Sequence, residues 1–163
     1  MPRDGRELDE KQQLAQSGML QPNRPGTPNV RVLLVEDDEI TRTATDLVFC
    51  QFGLNIDSCT SGEQAIELLE KRDFDLILVD VNLPNMSGYA LASWYKDMCR
   101  QSGRPAGYVV AVTAEPDAEA CAEFQIDSCL PKPLSTACVA EALQSYWVKR
   151  KANASAESMV TDA

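Results

Sequence analysis

Histidine is missing: none of the 163 residues is one. That absence excludes imidazole metal sites, Ser-His-Asp and Cys-His nucleophilic machinery, and any phosphohistidine on the chain itself. Long apolar runs are missing as well. Stretches such as Val32–Val35 and Leu76–Val79 end after four residues, whereas a membrane helix needs about 20, so no bilayer crossing is expected. The N-terminus has no apolar core of the secretory kind, so no signal peptide is expected, and a cytoplasmic location follows. Basic residues are the minority, 15 Lys and Arg against 25 Asp and Glu, for a net charge of −10. Phosphate backbones would repel such a chain. Its basic run is only Lys149-Arg150-Lys151, so nucleic acid is not an expected partner. There are six cysteines but no Cys-x-x-Cys. With four of them inside apolar-periodic segments and no secretory signal, free thiols are expected rather than disulfides.

What is present is the composition of a globular domain, 44% hydrophobic and 25% charged. Residues 1–29 hold four of the nine prolines, and their four acidic and four basic side chains cancel. They read as a flexible N-terminal linker, with a thin-faced, frayed helix over Glu7–Leu20. Residues 151–163 are small and polar and read as a flexible tail. Residues 30–150 are the folded domain. Within it, residues 30–148 carry 8 basic and 19 acidic side chains, so the acidity belongs to the folded part.

Strand and helix patterns alternate along that domain. Val30–Val35, Leu54–Cys59, Asp75–Val79, Tyr108–Val112 and Ser128–Leu130 read as strands. Between and after them lie five helical segments. The first, Glu39–Gln51, has Ile40, Ala44, Leu47 and Val48 as its expected inner face. A second opens at Thr60-Ser61 with a capping-box pattern to Glu63 and Gln64. A third carries Leu91, Trp94, Tyr95 and Met98 and ends at Gly103. The fourth starts at Pro116 and is short, and the last spans Ser135–Arg150. Five strands alternating with five helices predict an α/β fold, an open, doubly wound five-stranded parallel sheet covered on both faces. Ligands in such sheets sit beyond the carboxyl ends of the strands.

Those ends carry chemistry. The first strand runs into Glu36-Asp37-Asp38-Glu39, the third into Asp80, the fourth into Thr113 and the fifth into Lys132. Asp38 and Glu39 read as helix-capping acids. Glu36, Asp37 and Asp80 would bring like charges together, an arrangement tolerated when a divalent cation neutralises it. Only hard oxygen ligands are on offer, which selects Mg²⁺ or Mn²⁺. A carboxylate beside a metal and a lysine can also accept a phosphoryl group.

Four pieces of text resemble the receiver domain of two-component response regulators, of the kind found at the C-terminus of hybrid histidine kinases. They are Val32-Leu33-Leu34-Val35-Glu36-Asp37-Asp38, Asp75 to Gly88 with Asp80 at its centre, Val112-Thr113-Ala114, and Leu130-Pro131-Lys132-Pro133-Leu134. They occur in order, each at an expected strand end. The resemblance implies a flavodoxin-like fold with strand order 2-1-3-4-5. It implies that Asp80 takes a phosphoryl group from a phosphohistidine on a histidine kinase or histidine phosphotransfer protein. Asp37, Asp80 and the backbone carbonyl of Asn82 would bind Mg²⁺, with Glu36 acting through water. Thr113 and Lys132 would contact the phosphoryl group, a cis peptide would precede Pro133, and Asn82 and Glu115 would border the site and influence hydrolysis. The sequence departs from the family at Cys129, where an aromatic switch usually stands, and in a shortened stretch from Thr113 to Lys132. Two other readings use the same residues: a Mg²⁺-dependent phosphatase-like hydrolase with an Asp nucleophile, and a scaffold that signals by binding alone. The hydrolase would want an acid two residues after Asp80, and Asn82 stands there.

Overall fold

The computed structural model describes the backbone of residues 30–54 and 56–161, with side chains as far as Asn153. The expected linker over residues 1–29, with its helix over Glu7–Leu20, lies outside the described residues. Five strands, β1 (Val32–Val35), β2 (Ile56–Cys59), β3 (Leu76–Asp80), β4 (Tyr108–Thr113) and β5 (Ser128–Pro131), form one sheet in the order β2-β1-β3-β4-β5. Every neighbouring pair is parallel. The helices are α1 (Glu39–Gln51), α2 (Gly62–Lys71), α3 (Gly88–Ser102), α4 (Ala118–Glu123) and α5 (Thr136–Thr161). Among the described residues no helix is long and apolar enough to cross a membrane.

Parallel strands covered on both faces are near-continuous apolar runs, and β1, β3 and β4 are apolar up to the last residues of β3 and β4, Asp80 and Thr113. Successive side chains alternate between two core layers. Val32, Leu34, Leu76, Leu78, Val110 and Val112 meet Phe49 and Phe52 at the α1 end and Val139, Leu143 and Tyr146 of α5. Leu33, Val35, Ile77, Val79, Val109 and Ala111 meet Ala65 and Leu69 of α2, Leu91, Tyr95 and Cys99 of α3, and Cys121 of α4. Each large side chain fully buried here contributes about 1.5–3 kcal/mol. All six cysteines are free thiols.

The helix caps follow from local chemistry. Asp38 accepts from the Thr41 amide at 2.8 Å and from its hydroxyl at 2.6 Å. Ser61 accepts from the Gln64 amide at 3.2 Å, while the Gln64 side chain reaches back to the Thr60 amide at 2.9 Å. Gly103 ends α3 with φ of 67°, a left-handed turn that glycine adopts without strain.

Two expectations are corrected. The inner face of α1 is Thr45 and Phe49, not Ile40, Ala44 and Leu47. Ile40 is 80% exposed and Leu47 61%, and only Val48 of the expected set packs partly against the core. Two apolar stripes compete on this helix, and the one carrying the larger Phe49 wins the core. Thr45 joins it because its hydroxyl donates to the Thr41 carbonyl at 2.8 Å, leaving no unmet polar atom. The second correction concerns the end of the chain. Helix α5 runs on to Thr161, through the stretch expected to be a flexible tail from Lys151. Residues 151–161 contain no Gly or Pro and are rich in Ala, so nothing there stops a helix.

At the opposite end of the sheet from the strand ends described above, Asp127 ties three elements together. It accepts from Lys96 of α3 at 2.7 Å, from Lys149 of α5, and from the Val109 amide of β4 at 2.8 Å. Its side chain is 12% exposed and that of Lys96 13%. Burial works to raise the Asp127 pKa, but the bonds from Lys149, Lys96 and Val109 outweigh it and hold the carboxyl below its usual value of 3.8. Asp127→Asn is expected to cost about 3 kcal/mol at neutral pH, because it leaves Lys96 buried without its counter-ion. A depressed carboxyl stabilises above its unfolded pKa and loses that effect as pH falls through the folded value. The gap between variant and wild type in urea melts should therefore narrow below about pH 4.

Candidate functional site

The carboxyl ends of β1, β3, β4 and β5 converge because the strand order places them side by side. Asp80 is the last residue of β3 and pairs in register with Val112, one residue before Thr113. The Val81 amide donates to the Val112 carbonyl at 3.2 Å, and the Lys132 amide to the Thr113 carbonyl at 2.9 Å. On the other side the Glu36 amide donates to the Cys59 carbonyl at 3.1 Å. These backbone bonds fix the roots of the side chains before any of them interact.

Lys132 is the hub. Its ammonium lies 2.9 Å from a Glu36 carboxylate oxygen and 2.9 Å from an Asp80 oxygen. Glu36 is 2% exposed and Asp80 4%. The second Asp80 oxygen accepts the Asn82 amide at 3.0 Å, and the second Glu36 oxygen the Asp38 amide at 3.2 Å. The Thr113 hydroxyl, also buried, accepts from the Glu115 amide at 3.3 Å. Asp37, by contrast, is exposed. It borders an open depression lined by Asn82, Pro84, Asn85 and Ser87 of the β3–α3 loop. The Lys132–Pro133 peptide is cis, as expected.

Burial raises the Glu36 pKa above its usual 4.5. The Lys132 hydrogen bond opposes this and the Asp80 charge adds to it, leaving a net upward shift. Burial works against the Lys132 ammonium, but its bonds to Asp80 and Glu36 outweigh that and hold its pKa above the usual range. Two buried carboxylates thus share one cation, and negative charge is in excess. Oxygens of Glu36, Asp37 and Asp80 all lie within 4.8 Å of one another. Hard oxygens, surplus negative charge and one acid open to solvent suit a divalent cation of the Mg²⁺ type, which keeps several of its waters.

Asp38 and Glu39 are where the capping reading put them, at the N-cap and in the first turn of α1. Two contributors escaped the sequence reading. Arg42 donates to the Glu36 carbonyl at 3.2 Å, pinning the turn that carries Glu36 and Asp37. Nothing in the sequence marks it, since an arginine on a helix ordinarily faces water. Gly88 lies so close to the phosphoacceptor candidate that a Cβ there would sit 2.3 Å from the Asp80 carbonyl oxygen. The glycine itself closes the family-like stretch from Asp75 to Gly88, but its close approach to the Asp80 backbone leaves no mark in the sequence.

Residues 32–144 match the family model described as the response regulator receiver domain. Among curated proteins the chain is 34% identical over 110 residues to the transcriptional activator protein PfeR of Pseudomonas aeruginosa, covering 68% of this chain and 35% of PfeR. It is 33% identical over 121 residues to the sensor histidine kinase RcsC of Escherichia coli, covering 72% of this chain and 12% of RcsC. The chain therefore spans only a minor part of these longer relatives. Among solved structures it resembles a CheY-like response regulator receiver domain from Methylobacillus flagellatus, at 28% identity and a TM-score of 0.63, covering 73% of this chain and 99% of that one. The chain belongs to the response regulator receiver domain family. It is a receiver domain of two-component phosphorelay signalling, a class that binds Mg²⁺ at an acidic pocket of the kind formed here by Glu36, Asp37 and Asp80.

Proposed function

We propose that Asp80 is the phosphoacceptor of this receiver, taking a phosphoryl group from a phosphohistidine on a histidine kinase or histidine phosphotransfer protein in the cytoplasm. The receiver unit is residues 30–150. An Asp80 carboxylate oxygen forms the new O–P bond, and the P–N bond of the phosphohistidine breaks with its electron pair leaving on the imidazole. Lys132 pairs with the phosphoryl oxygens once they displace it from part of its present carboxylate contacts, and the Thr113 hydroxyl donates to one of them. Mg²⁺ held by Asp37, Asp80 and the Asn82 backbone carbonyl, with Glu36 acting through water, would neutralise charge on the transferring group. Asn82 and Glu115 border the site and set how long the acyl phosphate survives. The observation that carries the reading is the buried Glu36–Lys132–Asp80 cluster, with the exposed Asp37 beside it.

The partner's docking face is the exposed apolar face of α1. Ile40, Ala44 and Leu47 form an exposed apolar stripe that begins two residues after Asp38, beside the site. An apolar stripe adjoining an acidic site suits an amphipathic helical surface whose phosphohistidine reaches Asp80. The hydrolase alternative gains no support, because the Asn82 carboxamide is far too weak an acid to protonate a leaving group.

Incubation with acetyl phosphate and Mg²⁺ is expected to add the mass of one phosphoryl group, mapped to the Asp80 peptide and cleaved by hydroxylamine. Ile40→Asp and Leu47→Asp should slow transfer from a phosphohistidine donor by roughly tenfold or more, yet leave acetyl phosphate labelling unchanged. An unmodified mass, or labelling elsewhere, overturns the site. Equal slowing with both donors overturns the docking face.

A further inference from the structure

Arg42 stands outside the cluster of acids, yet it holds the peptide that aims Asp37. Glu36 is fixed on its other sides. Its amide donates to the Cys59 carbonyl at 3.1 Å. Its carboxylate takes Lys132 at 2.9 Å and the Asp38 amide at 3.2 Å. Two residues on, Asp38 caps α1 through the Thr41 amide and hydroxyl, and its carbonyl accepts from the Arg42 amide at 2.9 Å. Asp37 lies between these anchors. Among the described residues nothing hydrogen-bonds or ion-pairs with its carboxylate, although one of its oxygens comes within 4.8 Å of oxygens of Glu36 and Asp80. The direction of this carboxylate is therefore set by the backbone. A peptide unit is a rigid plane, so the Glu36 carbonyl and the Asp37 amide turn together and carry the Asp37 side chain with them. The Arg42 guanidinium donates to that carbonyl at 3.2 Å.

We propose that Arg42 is a positioning residue for the divalent cation: by holding the Glu36 carbonyl it keeps the Asp37 carboxylate turned toward Glu36 and Asp80. The inference rests on the reading of these three acids as the cation site. Charge alone would act the other way. A guanidinium close to the acids repels a second cation, so its removal would tighten cation binding by Coulomb's law. Loss of the bond would loosen it, because groups that orient a metal's ligands are typically worth about tenfold or more in affinity. The sign of the change therefore separates the two effects. The contact is a single bond to a carbonyl, so it does not use the guanidinium fork, and an ammonium on a stem of similar length can make it.

The test is the Mg²⁺ affinity of the full chain, measured by isothermal titration calorimetry with no phosphoryl donor present. Arg42→Met, which keeps a long side chain but neither donor nor charge, is expected to weaken binding about tenfold. Arg42→Lys should bind nearly as well as the wild type. Labelling by acetyl phosphate gives a second readout. For Arg42→Met the Mg²⁺ concentration at half-maximal rate should rise by the same factor, with the rate largely recovered at saturating Mg²⁺. A residue that only supports the fold would change neither quantity per folded molecule. Should Arg42→Met fail to fold, Arg42→Gln, shorter and uncharged, carries the same prediction. Unchanged or tighter Mg²⁺ binding in the neutral variant overturns the proposal, as does a loss in Arg42→Lys equal to that in Arg42→Met. A wild-type chain that takes up no Mg²⁺ would remove the cation site itself, and the role of Arg42 with it.

Discussion

Asp80→Asn is expected to abolish phosphoryl uptake from acetyl phosphate, and Lys132→Ala to slow it by roughly 100- to 1,000-fold without abolishing it. The difference follows from what each side chain touches. Asp80 supplies the oxygen that bonds to phosphorus, and an amide cannot replace it as a nucleophile. The replacement also fits its site poorly. One Asp80 oxygen accepts from Lys132 and the other from the Asn82 amide, so whichever way the Asn amide turns, its NH₂ group meets a donor. Lys132, in contrast, neutralises charge that develops on the transferring oxygens, and a divalent cation supplies part of that neutralisation in its absence. Intact-mass labelling over time, with and without Mg²⁺, separates the two variants.

The same lysine matters for stability, in a direction that depends on pH. Removing it leaves Glu36 and Asp80 buried together with no cation, at a cost of about 3 kcal/mol at neutral pH in the absence of divalent ions. Burial already holds the Glu36 pKa above 4.5, and Lys132 is what opposes that rise. In Lys132→Ala the Glu36 pKa should climb further. A carboxyl raised in the folded state binds more protons there than in the unfolded chain. Stability is therefore fully present below the unfolded pKa and is lost as pH rises through the folded one. Thermal melts of Lys132→Ala should show the deficit shrinking towards pH 4.5, and Mg²⁺ should restore part of it at pH 7. A deficit independent of both pH and Mg²⁺ would mean that Lys132 stabilises the loop by packing alone.

Much of this was legible because the relevant signals are local. Val32–Val35, Leu76–Val79 and Tyr108–Val112 are apolar runs that only a sheet covered on both faces can use, and the acids, hydroxyl and lysine stand directly at their ends. Topology then does the rest, since neighbouring strands must bring their ends together. The misread face of α1 has a different origin. Ile40, Ala44 and Leu47 repeat at helical spacing as well as Thr45, Phe49 and Phe52 do, and periodicity alone cannot rank two stripes. Their ranking depends on the volume available between β1, β2 and α5, which Phe49 fills. The stripe left outside is the one proposed above as the docking face. Arg42 was invisible for a related reason. Its role is a bond to a backbone carbonyl, and carbonyls leave no mark in a sequence. The long α5 escaped because a small, polar composition reads as a tail, even though alanine is the best helix former.

Gly88→Ala is the sharpest test of how closely the fold is built around Asp80. A Cβ at this position would lie 2.3 Å from the Asp80 carbonyl oxygen, 2.9 Å from its carbonyl carbon and 2.9 Å from a Val79 methyl. Two of those atoms are backbone in the central strand and cannot turn aside as a side-chain tip could. The Gly88 amide also donates to the Val81 carbonyl at 2.9 Å, so the helix start cannot simply back away. Overpacking of this kind is expected to cost about 3 kcal/mol and to lower the melting temperature by roughly 10 °C. The control is Gly103→Ala. There φ is 67° and a Cβ meets nothing within 4 Å, so only the left-handed strain of about 1 kcal/mol remains. Any structure that survives in Gly88→Ala must move Asp80 away from Lys132. Phosphoryl uptake per folded molecule should then fall at least about tenfold, while Gly103→Ala keeps the wild-type rate. If Gly88→Ala were destabilised yet labelled normally, the close approach would belong to the fold alone, and the position of Asp80 would be set from the Lys132 side.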